Sequence, residues 1–205
     1  MFLPKIYPIT DTRLVNLSHV EQVERLILGG AKLIQLREKS DSPKKFYEQA
    51  KAALKIARKY DVKIIINDRV DIALTLKADG VHLGQDDLSP EDARKILGKK
   101  AIIGFSTHNL KQAVQAVQFP IDYVAIGPVF ATKTKETPDK IIGLEMIKKV
   151  RETIGNFPLV AIGGISLGNF REVLEAGADS VAIISDLLSE PDKITENLKE
   201  FHRQM

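Results

Sequence analysis

Eight short apolar stretches rich in β-branched residues recur along this chain at roughly twenty-five-residue spacing, with segments of helical periodicity between them. They run Lys5 to Thr10, Lys32 to Arg37, Val62 to Asn67, Gly80 to Leu83, Ala101 to Ser106, Asp122 to Ile126, Pro158 to Ile162 and Ser180 to Ile184. Most are apolar at consecutive positions, as in Ile64-Ile65-Ile66 and Val181-Ala182-Ile183-Ile184, which fits strands buried on both faces. Strands of this kind alternating with helices predict an α/β protein built as a (β/α)8 barrel, the TIM-barrel architecture. No linker rich in Pro, Gly or Ser divides the 205 residues, so we expect a single domain over residues 1–205. Such barrels often need about 250 residues, so this one should have short loops. No sequence repeat is evident beyond the β/α alternation.

The intervening segments carry helix signals. Between Phe46 and Tyr60, apolar residues stand at Phe46, Ala50, Ala53, Leu54 and Ala57 with Lys, Glu and Arg between them, one stripe that can face a sheet. Ser42-Pro43 and Ser89-Pro90 each place a capping hydroxyl before a proline suited to the first helical position. Endings such as Gly29-Gly30-Ala31, Lys77-Ala78-Asp79-Gly80 and Glu175-Ala176-Gly177 put a glycine where the chain must turn back into the next strand.

Composition removes several classes of function. The chain has no cysteine, so disulfides, thiolate metal ligands and a cysteine nucleophile are all out of reach. No apolar run approaches the roughly 20 residues that span a bilayer, and Met1-Phe2-Leu3-Pro4-Lys5 is not a signal peptide, so a cytoplasmic protein without a membrane role is expected. The formal charge of +3 is small, and Lys44-Lys45, Lys99-Lys100 and Lys148-Lys149 fall on different helices. A nucleic-acid footprint needs a concentrated basic patch, so no nucleic-acid partner is expected.

The unusual polar residues cluster just after the strands, where a barrel of this kind builds its active site. After the second strand comes Gln35-Leu36-Arg37-Glu38-Lys39, and period two sends Gln35, Arg37 and Lys39 to one side. Cations on an interior face need an anion: either a bound ligand or an acid on a neighbouring strand. The third strand ends in Asn67-Asp68-Arg69, where Asp68 could cap the next helix. The fourth runs into Gly80-Val81-His82-Leu83-Gly84-Gln85-Asp86-Asp87, so carboxylates follow two adjacent strands, and Ser89 already supplies the cap there. Hard oxygen ligands on neighbouring loops suit Mg²⁺ completed by waters and substrate phosphates. His82 reads as a packed, hydrogen-bonded strand residue.

Ser106 and Thr107 offer hydroxyls after the fifth strand, with Thr107 or Asn109 the alternative helix cap. The long stretch after the sixth, from Gly127 to Lys140, is rich in Thr and Lys and reads as a cover over an anionic substrate or as a solvated loop. Gly163-Gly164 and Ser185 follow strands seven and eight, where barrels of this type bind phosphate on backbone N–H groups. Gly164-Ile165-Ser166-Leu167-Gly168 matches a hydrolase nucleophile string. The only histidine beyond it is on a terminal helix, and no oxyanion motif precedes it, so Ser166 reads as a helix cap.

Taken together and in order, these segments resemble thiamin phosphate synthase. The resemblance runs through Ile9-Thr10-Asp11, QLREK at Gln35 to Lys39, IND at Ile66 to Asp68, GVHLGQDD at Gly80 to Asp87 and GFSTH at Gly104 to His108. It continues with AIGPVFATKTK at Ala125 to Lys135, AIGGI at Ala161 to Ile165 and IIS at Ile183 to Ser185. That family joins hydroxymethylpyrimidine diphosphate to thiazole phosphate and releases pyrophosphate. The resemblance implies that Gln35, Arg37, Lys39, Asn67, Ser106 and Lys135 hold the pyrimidine diphosphate, and that Arg37, Lys39, Ser106 and Lys135 serve catalysis. It implies further that Asp68 and Asp87 bind Mg²⁺, and that Thr132, Thr134, Gly164, Ile184 and Ser185 receive the thiazole phosphate. The related thiazole tautomerase shares the fold but needs no pyrophosphate-binding metal; Asp68, Asp87, Arg37 and Lys39 favour the synthase. A non-catalytic barrel that binds a phosphorylated metabolite is the other alternative, and it gains nothing from two carboxylates facing its pocket.

Overall fold

The computed structural model describes residues 3–132, 134 and 140–205. Eight parallel strands close in sequence order: β1 (Ile6–Asp11), β2 (Leu33–Arg37), β3 (Lys63–Asn67), β4 (Gly80–Leu83), β5 (Ile102–Thr107), β6 (Tyr123–Ile126), β7 (Leu159–Ile162) and β8 (Ser180–Ile183). Each lies within a residue or so of the stretch expected for it. Between and after them run α1 (His19–Leu28), α2 (Pro43–Lys59), α3 (Val70–Leu76), α4 (Pro90–Leu97), α5 (Leu110–Ala116), α6 (Gly143–Ile154), α7 (Phe170–Glu175), α8 (Ser185–Leu188) and α9 (Ile194–Arg203).

Strand parity divides the core in two. Ile34 and Leu36, Ile64 and Ile66, Ile103 and Phe105, and Val181 and Ile183 face outward and pack under the helices. Tyr7, Ile9, Leu33, Ile65, Ile102, Tyr123, Val160 and Ala182 fill the barrel interior. Burying each large aliphatic side chain on either layer contributes about 1.5–3 kcal/mol. This double demand is why the strands read as continuous apolar runs. The stripe on α2 meets it with Phe46, Ala50, Ala53, Leu54 and Ala57, all buried.

Several expected helix signals hold. Ser42 accepts the Lys45 N–H at 3.3 Å and Ser89 accepts that of Asp92 at 3.1 Å, each ahead of a proline in the first turn. Others need correction. At the end of α3 the left-handed residue is Lys77 (φ +51°), and Gly80 serves a different purpose. A Cβ at Gly80 would lie 1.9 Å from the Ile102 carbonyl oxygen, so glycine is what lets β4 approach β5. Ser166 does not cap α7; its N–H is held at 2.8 Å by the Asn169 side chain in the turn that precedes the helix.

A repeat not anticipated from the sequence appears at the opposite end of the barrel from the loops that follow the strands. Asp79, Asp122 and Asp179 precede β4, β6 and β8, and their carboxylates accept the N–H of Ile64, Ile103 and Leu159 at 2.8 Å. Arg94 and Arg151 complete the second and third of these with ion pairs of 2.7 and 2.5 Å to Asp122 and Asp179. The arginines, their carbonyl partners Gly98 and Gly155, and the two aspartates stand 57 residues apart in each case. The later half of the barrel therefore repeats a two-strand unit, contrary to the expectation of no repeat beyond alternation.

Candidate active site

The interior parity that carries Leu33, Ile65 and Ile102 continues toward the strand ends as Gln35, Asn67 and Ser106, with His82 from β4 beside them. All four line one cavity of about 220 Å³. Polar side chains replace apolar ones at that level, so the barrel core stops there and a binding site begins.

Gln35 is buried and its Nε2 donates to the Tyr7 hydroxyl at 3.2 Å. Arg37 pairs with Asp11, its register partner on β1, and Lys39 pairs with Asp68. Of the competing possibilities for this motif the internal acid is present, since Arg37 and Lys39 each have a carboxylate beside them, and both cations also line the cavity. Asp11 is buried, accepts the Arg13 N–H at 2.9 Å and lies 3.3 Å from that residue's guanidinium, so it is an anchor shared by two arginines. Glu38, of opposite parity, turns away from the cavity and accepts from the Thr12 hydroxyl at 2.7 Å. Burial pushes its carboxyl up, but bonds from Thr12, Ser40 and Asp41 outweigh this and leave it at about 2.

Asp68 is not a helix cap. Its backbone is left-handed (φ +60°), α3 begins without a side-chain cap, and the Asp68 N–H donates to the His82 carbonyl at 2.8 Å. A non-glycine residue in this region is uncommon and costs free energy, which turns attention to what the side chain does there. Asp87, in the β4–α4 loop, accepts the Gly84 N–H at 2.7 Å. Its carboxyl is raised above the ordinary range: burial contributes most, the Gly84 bond draws it back, and the negative charge of Asp68 raises it again. Asp87 borders a neighbouring cleft instead of lining the main cavity, so the two carboxylates meet at the rim between them. Among the described residues no group of three or more His, Cys, Asp or Glu is arranged to hold a metal ion.

Across the cavity lie Gly164, Ile184 and Ser185, with Thr132 and Thr134 above them. Gly164 is left-handed (φ +65°), and a Cβ there would sit 2.5 Å from the Ala131 carbonyl oxygen. Only glycine fits that turn. Ser185 opens the four-residue α8, in which Leu187 and Leu188 donate their N–H groups to the Ile184 carbonyl at 3.2 and 3.1 Å. Thr134 donates its N–H to Thr132 Oγ1 at 3.3 Å, and Arg13 reaches the Thr134 carbonyl at 3.4 Å. Lys135 and most of the expected cover, residues 133 and 135–139, lie outside the described residues.

Thr107 gives its hydroxyl proton to the Ala125 carbonyl at 2.9 Å, and Asn109 is the cap of α5. His108, compatible with either enzyme considered above, lines the cavity with Nδ1 on the Gly127 carbonyl at 2.9 Å. Sequence reasoning missed Tyr7, Asp11 and Tyr123, which hold the lining residues from beneath. Their interior parity was legible, but their partners lie 26 to 116 residues away.

A family model described as thiamine monophosphate synthase matches residues 6–187, the whole barrel. The chain belongs to this family. A thiamine-phosphate synthase of Clostridium novyi (strain NT) is 47% identical over 189 residues, covering 92% of each chain. Another from Persephonella marina is 45% identical over 202 residues, covering 98% of this chain and 95% of that one. Among solved structures, thiamine phosphate pyrophosphorylase from Pyrococcus furiosus superposes with a TM-score of 0.87 at 39% identity, covering 97% of this chain and 94% of the other. Thiamine monophosphate synthase family membership makes the chain an enzyme, a transferase of thiamine biosynthesis. The relatives' names do not favour the tautomerase or the non-catalytic binder. No helix among the described residues is long and apolar enough to cross a membrane.

Proposed function

We propose that this enzyme transfers the hydroxymethylpyrimidine group from its diphosphate to the ring nitrogen of thiazole phosphate, giving thiamin phosphate and pyrophosphate. The observation that carries the reading is that one cavity has two ends whose groups suit anions. Cations after β2 face a pair of mutually repelling carboxylates, and a glycine-built turn with a helix start lies opposite.

Arg37, fixed by Asp11, and Lys39, with Lys135, bind the diphosphate that leaves. The Lys39–Asp68 pair is partly exposed, and such pairs contribute little, so Lys39 can turn to a phosphate oxygen at small cost. Asp68 and Asp87 form a donor set that fits Mg²⁺, which takes one or two carboxylates and completes its shell with water and phosphate oxygens. Bound there, Mg²⁺ would neutralise charge developing on the departing diphosphate. Gln35 and Asn67 hold the pyrimidine, and Ser106 contacts the same substrate. Gly164, Ile184 and Ser185, with Thr132 and Thr134, hold the thiazole phosphate so that its nitrogen faces the pyrimidine methylene.

The bond to the leaving oxygen breaks ahead of nitrogen attack, and the methylene carries carbocation character in between. No strong base is needed, in keeping with a site rich in anion-binding groups and fixed dipoles. Small phosphorylated substrates suit a cytoplasmic enzyme. The test is the reaction of both substrates with and without added Mg²⁺, following pyrophosphate and thiamin phosphate together. Stoichiometric release that stops in excess chelator is expected; full-speed coupling in chelator would overturn the metal assignment, and absence of coupled product with Mg²⁺ the whole reading.

A further inference from the structure

A chain of hydrogen bonds runs beneath the cavity floor from Gln35 to Ser106. Gln35 Nε2 meets the Tyr7 hydroxyl at 3.2 Å, which meets the Tyr123 hydroxyl at 3.1 Å. That hydroxyl meets His82 Nδ1 at 2.9 Å, and His82 Nε2 meets Ser106 Oγ at 2.8 Å. The three middle residues are buried, the tyrosine rings edge-on to each other and the imidazole stacked on Tyr123. Gly104 makes the room: a Cβ there would lie 2.3 Å from the Tyr123 hydroxyl oxygen.

The links cannot be set independently. Each hydroxyl has one proton to give, and a neutral imidazole has one N–H. If Gln35 donates to Tyr7, the Tyr7 proton goes to Tyr123, the Tyr123 proton to Nδ1, and the Nε2 proton to Ser106. Reversing one link reverses all. The outward direction, from Gln35 to Ser106, is the stronger arrangement. A phenol is a better donor and a poorer acceptor than an aliphatic hydroxyl, so it gives its proton to the imidazole nitrogen, and successive bonds of like direction reinforce one another. The ring lies buried with a neutral hydroxyl partner on each nitrogen, Tyr123 on Nδ1 and Ser106 on Nε2, the setting of a neutral imidazole.

We propose that Tyr7, Tyr123 and His82 are positioning residues that lock Gln35 as an acceptor and Ser106 as a donor toward the cavity. Gln35, having given an Nε2 proton to Tyr7, turns Oε1 to the ligand. Ser106, having received from His82, gives its own proton to the ligand. The site thereby selects a heteroaromatic ring with an amine against Gln35 and an oxygen or ring-nitrogen acceptor against Ser106. This assignment of specificity rests on the substrate reading above. An oxo group in place of the amine would set one carbonyl against another, and admitting it means reversing the chain and losing the Ser106 donor.

Two measurements test this. The first needs no substrate: ¹⁵N spectra of the histidine side chains of the ligand-free protein near neutral pH, with the His82 signals assigned through His82→Gln. Protonated Nε2 with bare Nδ1 is expected. Protonated Nδ1 with bare Nε2, or an imidazolium, overturns the proposal. The second compares kcat/KM for the amino pyrimidine diphosphate and its oxo analogue, both with thiazole phosphate. In Tyr7→Phe the Gln35 amide is uncoupled, and the preference for the amine should fall at least about tenfold. If both values fall together and the ratio stays, the tyrosine is only structural and the proposal fails. Should Tyr7→Phe not fold, Tyr123→Phe breaks the same chain one link further on. A wild-type protein that couples neither pyrimidine sinks the proposed function, while the nitrogen spectrum still decides the direction of the chain.

Discussion

Asp87 accepts an N–H from its own loop and faces a second carboxylate, so replacing it removes charge without opening the barrel. Asp87→Ala should lower turnover by more than about a hundredfold, exceeding the tenfold to hundredfold typical of losing an outer-shell metal partner. Steady-state pyrophosphate release measures this, and calorimetric titration should show thiazole phosphate binding nearly unchanged. Gly164→Ala should do the reverse. Its φ of +65° and the 2.5 Å approach to the Ala131 carbonyl oblige the turn to shift, so thiazole phosphate affinity should drop at least about tenfold while pyrimidine diphosphate binding persists. Strand parity made Gln35, Arg37 and Lys39 legible as one interior set before any coordinates. Asp11 was not legible as the anchor of Arg37, because only register brings β1 and β2 residues 26 positions apart into contact.

The strands were readable almost to their ends because a strand pressed between a barrel core and a helix layer must be apolar on both faces. Turns were less readable, since several residue types can meet the same demand. Lys77 takes a left-handed conformation where glycine was the expectation, and Gly80 is needed for contact with a neighbouring backbone. The aspartates before β4, β6 and β8 escaped notice for another reason: a carboxylate that caps an N–H of a neighbouring strand adds nothing to the apolar periodicity by which strands and helices are read. Asp122 accepts the Ile103 N–H and also pairs with Arg94, at the end of the barrel remote from the cavity. Asp122→Ala leaves that N–H and the guanidinium short of a partner, at a cost of about 2 kcal/mol. Urea denaturation should show a lower midpoint with an unchanged slope, and activity per folded molecule should equal that of the parent.

Closure of the barrel buries His82 almost completely, which links the fold to pH. Burial lowers the ring to about 4, against 6.5 for an ordinary histidine. Below pH 6.5 the unfolded chain takes up this proton and the folded one does not, so protonation favours unfolding. The stability at stake is fully present above pH 6.5 and is lost as pH falls toward 4, amounting to roughly 3 kcal/mol at about 1.4 kcal/mol per pH unit. His19, buried between α1 and the barrel, is also lowered, chiefly by burial and against the pull of Glu38, so it adds to the loss with the same sign. Urea unfolding at steps between pH 7 and 4 should therefore show stability already falling in the upper part of that range, before ordinary carboxylates titrate. His82→Gln keeps polar atoms within the hydrogen-bond chain but cannot take up the proton. Its stability should fall less steeply over the same steps, converging on the parent's as pH approaches 4 even if it begins lower at pH 7. An equal slope in both proteins would mean that the buried imidazole is not what ties this barrel's stability to acid.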